Sequence, residues 1–174
     1  MAKKKHKILI VDDDKDILEM LDYNLGKEGF ETKTAGNGKK AIEIANEFEP
    51  NLILLDIMMP GIDGVETCRQ LRENPALATT YILFLTARSE EYSEVAAFEV
   101  GADDYINKPI KPRALVSRIN ALFRREEKKV KDFKKVTIGD LTIDRTGYTV
   151  FIKDQSVVLP KKEFELLYLS LIHI

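Results

Sequence analysis

Five polar residues stand at or just beyond the ends of four short strand-like runs, and their types suit transfer of a phosphoryl group to a carboxylate. Asp12 and Asp13 follow Ile8 to Val11, Asp56 follows Leu52 to Leu55, Thr86 follows Tyr81 to Leu85, and Lys108 follows Tyr105 to Asn107. In an open parallel sheet ligands bind in the crevice at the carboxyl ends of the strands, so the five side chains would share one crevice. Three carboxylates at close quarters repel one another, and a hard cation with oxygen ligands is the usual remedy. A carboxylate nucleophile needs a metal against the incoming group, a donor for its oxygens and a cation for the charge that an acyl phosphate retains. Thr86 offers the hydroxyl and Lys108 the compact positive charge. Each residue alone has an ordinary reading: Asp12 to Asp14 as an N-cap cluster with Asp14 the cap, Thr86 as a strand-end cap, Lys108 before Pro109 as surface, Asp56 as the start of a turn. Five compatible positions at four run ends make joint coincidence the poorer account.

The elements that would position these residues are legible over residues 7 to 125, where short apolar runs alternate five times with helical periodicity. That alternation predicts an α/β fold with a parallel sheet covered by helices on both faces. The strands are expected at Lys7 to Val11, Phe30 to Ala35, Leu52 to Leu55, Tyr81 to Leu85 and Tyr105 to Asn107. The first, third and fourth are nearly all apolar, as strands buried on both faces are. The second alternates and is expected at an edge. Ile17, Leu18, Leu21 and Leu25 line one face of a first helix; Ala41, Ile44, Ala45 and Phe48 do so for a second; Val65, Cys68 and Leu71 for a third. Val95, Phe98 and Ala102 indicate a fourth, and Leu115, Ile119, Leu122 and Phe123 a fifth.

Composition narrows the class. The chain of 174 residues is 44% hydrophobic and 32% charged with a formal net charge of −2, a globular profile with no global electrostatic case for nucleic acid or membrane. One cysteine, Cys68, forbids an intrachain disulfide and is expected as core packing; a cytoplasmic location fits, with no membrane partner. The basic start at Lys3 to Lys7 reads as a solvated chain end.

From Arg124 to Lys135 the apolar period stops, and seven basic residues face three acidic ones, which is read as a linker at 126–135. Beyond it Val136 to Ile138, Leu141 to Asp144, Tyr148 to Ile152 and Val157 to Leu159 are strand-like, separated by turn residues. Pro160 opens an apparent helix.

The segments ILIVDDD (Ile8 to Asp14), LLDIMMPGIDG (Leu54 to Gly64), LTA (Leu85 to Ala87) and GADDYINKP (Gly101 to Pro109) resemble the receivers of two-component response regulators. The separations of thirty residues from Asp56 to Thr86 and twenty-two from Thr86 to Lys108 agree with that family. The resemblance implies a flavodoxin-like (βα)5 receiver over residues 1–125 with a five-stranded parallel sheet. It implies Asp56 as phosphoacceptor, Mg2+ held by Asp12, Asp13, Asp56 and the Met58 carbonyl, Thr86 and Lys108 on the phosphoryl group, and Thr86 with Tyr105 as the switch pair. A histidine kinase would be the donor, and the protein a signalling switch rather than a turnover enzyme. Asp103, Asp104, Arg118 and Arg125 match charged positions of a homodimer face formed by the fourth helix, fifth strand and fifth helix. Glu94 opposite Ala114 and Glu99 opposite Asn120 depart from it. Met58 and Arg88 match positions that tune phosphoryl lifetime.

Residues 136–174 resemble the start of the winged-helix effector of OmpR/PhoB-type regulators, Leu159 to Leu167 matching the opening of its first helix. The recognition helix and wing are expected to be missing, which would make this a truncated DNA-binding domain whose parent binds DNA and which itself does not. At 39 residues the fragment is near the limit of about 40 for unaided folding. A marginal small sheet is therefore expected, with Leu166, Leu167, Leu169 and Ile172 exposed, docked on the receiver or buried between chains. Two other readings compete. An aspartyl-phosphate hydrolase would carry an Asp-x-Asp motif closing the first strand, whereas the isolated aspartate here follows the third. A flavin-binding flavodoxin-like module would have a first loop rich in Ser, Thr and Gly, where this chain has three aspartates that repel phosphate.

Overall fold

A computed structural model of the chain describes residues 5–87, 99–144, 149–153 and 155–172. The chain divides into two compact units between Val116 and Ser117. In the first, β1 (Lys7–Val11), β2 (Glu31–Ala35), β3 (Leu52–Asp56), β4 (Tyr81–Thr86) and β5 (Asp104–Asn107) form a parallel sheet in the order β2-β1-β3-β4-β5. This is the flavodoxin-like order that the resemblance implied. The three apolar strands occupy the centre, and the alternating β2 lies at an edge as expected, its burial confined largely to Ala35. β5, shorter and only half-buried, is the other edge.

Three helices follow the first three strands, α1 (Lys15–Lys27), α2 (Gly38–Phe48) and α3 (Gly64–Glu73). Each starts on a side chain able to satisfy the free backbone donors of a helix start: Asp14, Asn37 and Asp63 accept from amides two or three residues on. The apolar stripes are buried where the periodicity placed them, at Leu21 and Leu25, at Ala41, Ala45 and Phe48, and at Cys68 and Leu71. One face of the sheet contributes Leu9, Val11, Ile53, Leu55, Ile82 and Phe84 to a core with the α2 and α3 stripes. A single turn of 3-10 helix, Pro75–Leu77, was not anticipated; it seats Leu77 in that core. The expected fourth helix at Val95 and Phe98, with Arg88 and Glu94, lies outside the described residues, as do Lys3, Lys4, Tyr148 and His173, whereas Ala102, expected on the same helix, is outside any helix and partly buried against the core.

The predicted fifth helix exists as α4 (Pro112–Lys134), with Leu115, Ile119 and Phe123 buried. It runs through nearly all of the segment read as a linker, so 126–135 is not an irregular hinge. A helix does not need apolar periodicity to continue: the segment has no Gly or Pro, and Glu127 stands four residues before Lys131, a favourable spacing.

The second unit carries an antiparallel sheet of β6 (Lys135–Ile138), β7 (Leu141–Asp144), β8 (Thr149–Ile152) and β9 (Gln155–Val158), in chain order. β9 starts two residues earlier than the apolar run suggested, because Gln155 already pairs with Ile152. Helix α5 (Lys161–Ile172) brings Phe164 and Tyr168 onto Ile143 and Val150, making a small core of four buried side chains. Leu166 is 70% exposed as expected, whereas Leu167 packs against that core.

Candidate functional site

Strand register assembles the site. Val11 is paired with Leu55, so Asp12 stands beside Asp56; Asp56 is paired with Leu85, so Thr86 is one step beyond; Thr86 is paired with Asn107, so Lys108 follows. The Lys108 amide donates to the Thr86 carbonyl at 2.7 Å, extending the ladder past the strand end. All five residues singled out by type and spacing therefore meet at the carboxyl edge of the sheet.

Asp12 and Asp56 are buried and Asp13 is exposed; one carboxylate oxygen of each lies within 4.8 Å of the others. Among the described residues this is the cluster whose donors could hold a metal ion. Lys108 Nζ lies 2.9 Å from Asp12 Oδ2 and 3.0 Å from Asp56 Oδ1. The Asp12 oxygen has no hydrogen bond of proper geometry, so its ion pair with Lys108 leaves a buried acceptor that a cation would satisfy. All three donors are oxygens with net negative charge, the ligand type of magnesium or calcium.

Burial pushes the Asp56 carboxyl up to about 6, an effect that the Lys108 hydrogen bond opposes and the neighbouring Asp12 and Asp13 charges reinforce. For Lys108 burial acts downward, but the attraction of the Asp12 and Asp56 carboxylates prevails and the ammonium is held above its ordinary range. Thr86 is buried, and its hydroxyl donates to the Ala87 carbonyl at 3.0 Å, a local bond that is readily exchanged for another acceptor. Met58 lies in the loop after Asp56 with its side chain 64% exposed. Tyr105, on β5, is half-buried against the core.

The residues expected on a dimer face lie on α4, on β5 and in the segment just before β5. Arg118 and Arg125 are exposed on α4, and Asp104 opens β5. Asp103 is engaged inside its own unit: its carboxylate accepts from Arg72 at 2.9 Å and from the Ile82 amide at 2.8 Å. Arg72 also donates to the carbonyls of Gly101, Leu77 and Thr80. Nothing in the sequence flagged Arg72, since its partners lie up to 31 residues away.

Comparison with known proteins agrees with this geometry. The response regulator receiver domain matches residues 8–120. The alkaline phosphatase synthesis transcriptional regulatory protein PhoP of Bacillus subtilis is 41% identical over 169 residues, covering 92% of this chain and 70% of that protein. The DNA-binding response regulator MtrA of Mycolicibacterium smegmatis is 39% identical, covering 96% and 71%. Among solved structures, the response regulator DrrB, a Thermotoga maritima OmpR/PhoB homologue, has a TM-score of 0.62 at 38% identity, covering 95% of this chain and 71% of that one. A CheY-like receiver domain protein from Methanospirillum hungatei has a TM-score of 0.68 at 29% identity, covering 72% and 99%.

Proposed function

Because this chain belongs to the response regulators of two-component systems, with relatives of the OmpR/PhoB type, we propose that Asp56 accepts a phosphoryl group from a histidine kinase with magnesium bound beside it. The observation that carries this reading is the meeting of Asp12, Asp13 and Asp56 with Lys108, whose ammonium is 2.9 Å from Asp12 and 3.0 Å from Asp56. Asp12, Asp13, Asp56 and the Met58 carbonyl would hold the metal, which when bound supplies positive charge against the phosphoryl oxygens. An oxygen of Asp56 forms the new bond to phosphorus as the bond from phosphorus to the donor breaks, and the leaving group departs with that electron pair. The Thr86 hydroxyl gives up the Ala87 carbonyl and donates to a phosphoryl oxygen, while Lys108 pairs with the charge that remains.

Phosphorylation adds roughly −1.5 to −2 charges and three acceptor oxygens at the carboxyl edge. The shift of Thr86 toward them vacates space for Tyr105 to turn inward, and the resulting change at β5 biases a homodimer through Asp103, Asp104, Arg118 and Arg125. A transcriptional regulatory protein and a DNA-binding response regulator among its relatives support a transcriptional output, and residues 136–174 resemble the start of a winged-helix effector. The reading makes the chain a switch: its chemistry is confined to its own phosphorylation and slow hydrolysis.

Intact mass after treatment with magnesium and acetyl phosphate tests this, beside Asp56→Asn. One phosphoryl group is expected on the parent, none on the variant and none in chelator. No gain by a folded, magnesium-binding chain would refute Asp56 as acceptor.

A further inference from the structure

We propose that Gly64, the first residue of α3, is a positioning residue for Asp56: with no side chain there, the helix can start directly against the backbone of the phosphoacceptor. The inference rests on the assignment of Asp56 given above. Gly64 is buried, and a Cβ on it would lie 2.2 Å from the Asp56 carbonyl oxygen, 2.7 Å from Ile57 Cα and 3.0 Å from the Asp56 carbonyl carbon. All three are backbone atoms, so no flexible side-chain end can swing aside to make room. The Gly64 amide also donates to the Ile57 carbonyl at 2.8 Å, which ties the helix start to the strand end.

A side chain at position 64 has to push the helix or the strand end by about 1 Å, a displacement of the size that costs a reacting group about a hundredfold in rate. The helix is the better anchored of the two. Thr67, Cys68 and Leu71 are buried, and Arg72 in its last turn donates to the carbonyls of Gly101, Leu77 and Thr80 and to Asp103. The strand end is paired on one side. The last pair with β1 is Val11 with Leu55, while pairing with β4 includes Asp56 opposite Leu85 and continues to the Ile57 amide, which donates to the Leu85 carbonyl at 3.3 Å. The peptide that meets the added Cβ is thus the one between Asp56 and Ile57, whose carbonyl carbon is bonded to the Asp56 Cα. No intervening side chain has to transmit the shift, which falls on the residue whose own carboxylate lies 3.0 Å from Lys108 Nζ.

The rate of phosphorylation of the full chain by acetyl phosphate, followed by intact mass across a range of magnesium up to saturation, tests this in Gly64→Ala. Gly26→Ala is the control, because a Cβ at Gly26 has nothing within 4 Å. At saturating magnesium the rate is expected to fall about a hundredfold in folded Gly64→Ala and to stay unchanged in Gly26→Ala. Lost packing alone would lower the unfolding temperature and leave the folded variant phosphorylating at the parent's rate, a result that would overturn the positioning role. Recovery of the parent's rate once magnesium saturates would overturn it too, since the effect would then lie in metal affinity. If Gly64→Ala does not fold, Asp63→Ala and Asp63→Asn replace it: they are equal in charge and differ in whether the side chain caps α3 at the Glu66 amide. The uncapped Asp63→Ala is expected to react several-fold more slowly than Asp63→Asn, and equal rates would overturn the proposal. Absence of Asp56 phosphorylation in the parent would overturn it together with the function above.

Discussion

At the scale of single residues the site is a balance of buried charges, and Asp56 sits at its least comfortable point. Its folded pKa of about 6 lies above the ordinary 3.8, so between those values the folded chain binds more protons than the unfolded one. Stability therefore falls as pH rises through that window, and the full penalty stands above pH 6. At about 1.4 kcal/mol per pKa unit, ionised Asp56 costs the metal-free fold on the order of 2 to 3 kcal/mol at neutral pH. Thermal unfolding in chelator should show Asp56→Asn more stable than the parent at pH 7.5, with the gap closing toward pH 4. Equal stabilities across that range would mean that the carboxylate is solvated rather than buried. The five residue types and their spacing were readable in the sequence; the elevated proton affinity of Asp56 was not, because it depends on how deeply the strand end is covered.

At the scale of elements, the helices begin where local chemistry says they should, and the chief surprises are long-range. Asp14, read as a cap from the sequence, and Asn37 and Asp63, seen as caps in the structure, start their helices through side chain to backbone bonds spanning two or three residues. Arg72 is the opposite case. From α3 it reaches the short 3-10 turn, the start of β4 and the segment before β5, donating to three carbonyls and Asp103. Removing it leaves those acceptors without their shared donor, so Arg72→Ala should destabilise the chain by about 2 kcal/mol in chemical denaturation. Arg72→Lys should not restore it, since an ammonium lacks the planar fork that serves several acceptors at once. Full rescue by lysine would show that charge, not geometry, is what matters there. The helical course of 126–134 was hidden for a different reason: that stretch of sequence carries no apolar period to detect.

At the scale of the whole molecule, two cores of very different size share one chain. The antiparallel sheet and α5 rest on Ile143, Val150, Phe164 and Tyr168, and Ile138, Ile152, Val157, Val158 and Leu166 remain exposed. So small a core is close to the limit of independent stability. Heating should give two transitions, the first removing the antiparallel sheet and the second the parallel one, and trypsin at a temperature between them should leave a fragment that retains residues 7 to about 125. A single transition with 136–172 protected throughout would contradict this. No described helix is long and apolar enough to cross a membrane.

Taken alone, the sequence determined the parallel α/β architecture, the central and edge strands and the residues of the crevice. Each of these follows from periodicity or from a residue's place at the end of a run, which are local properties. Tertiary structure decided what depends on distant partners: the convergence of Lys108 on two aspartates and the pairing of Asp103 with Arg72. Those contacts join residues dozens of positions apart, and no pattern within a single element encodes which side chain another element will bring beside it.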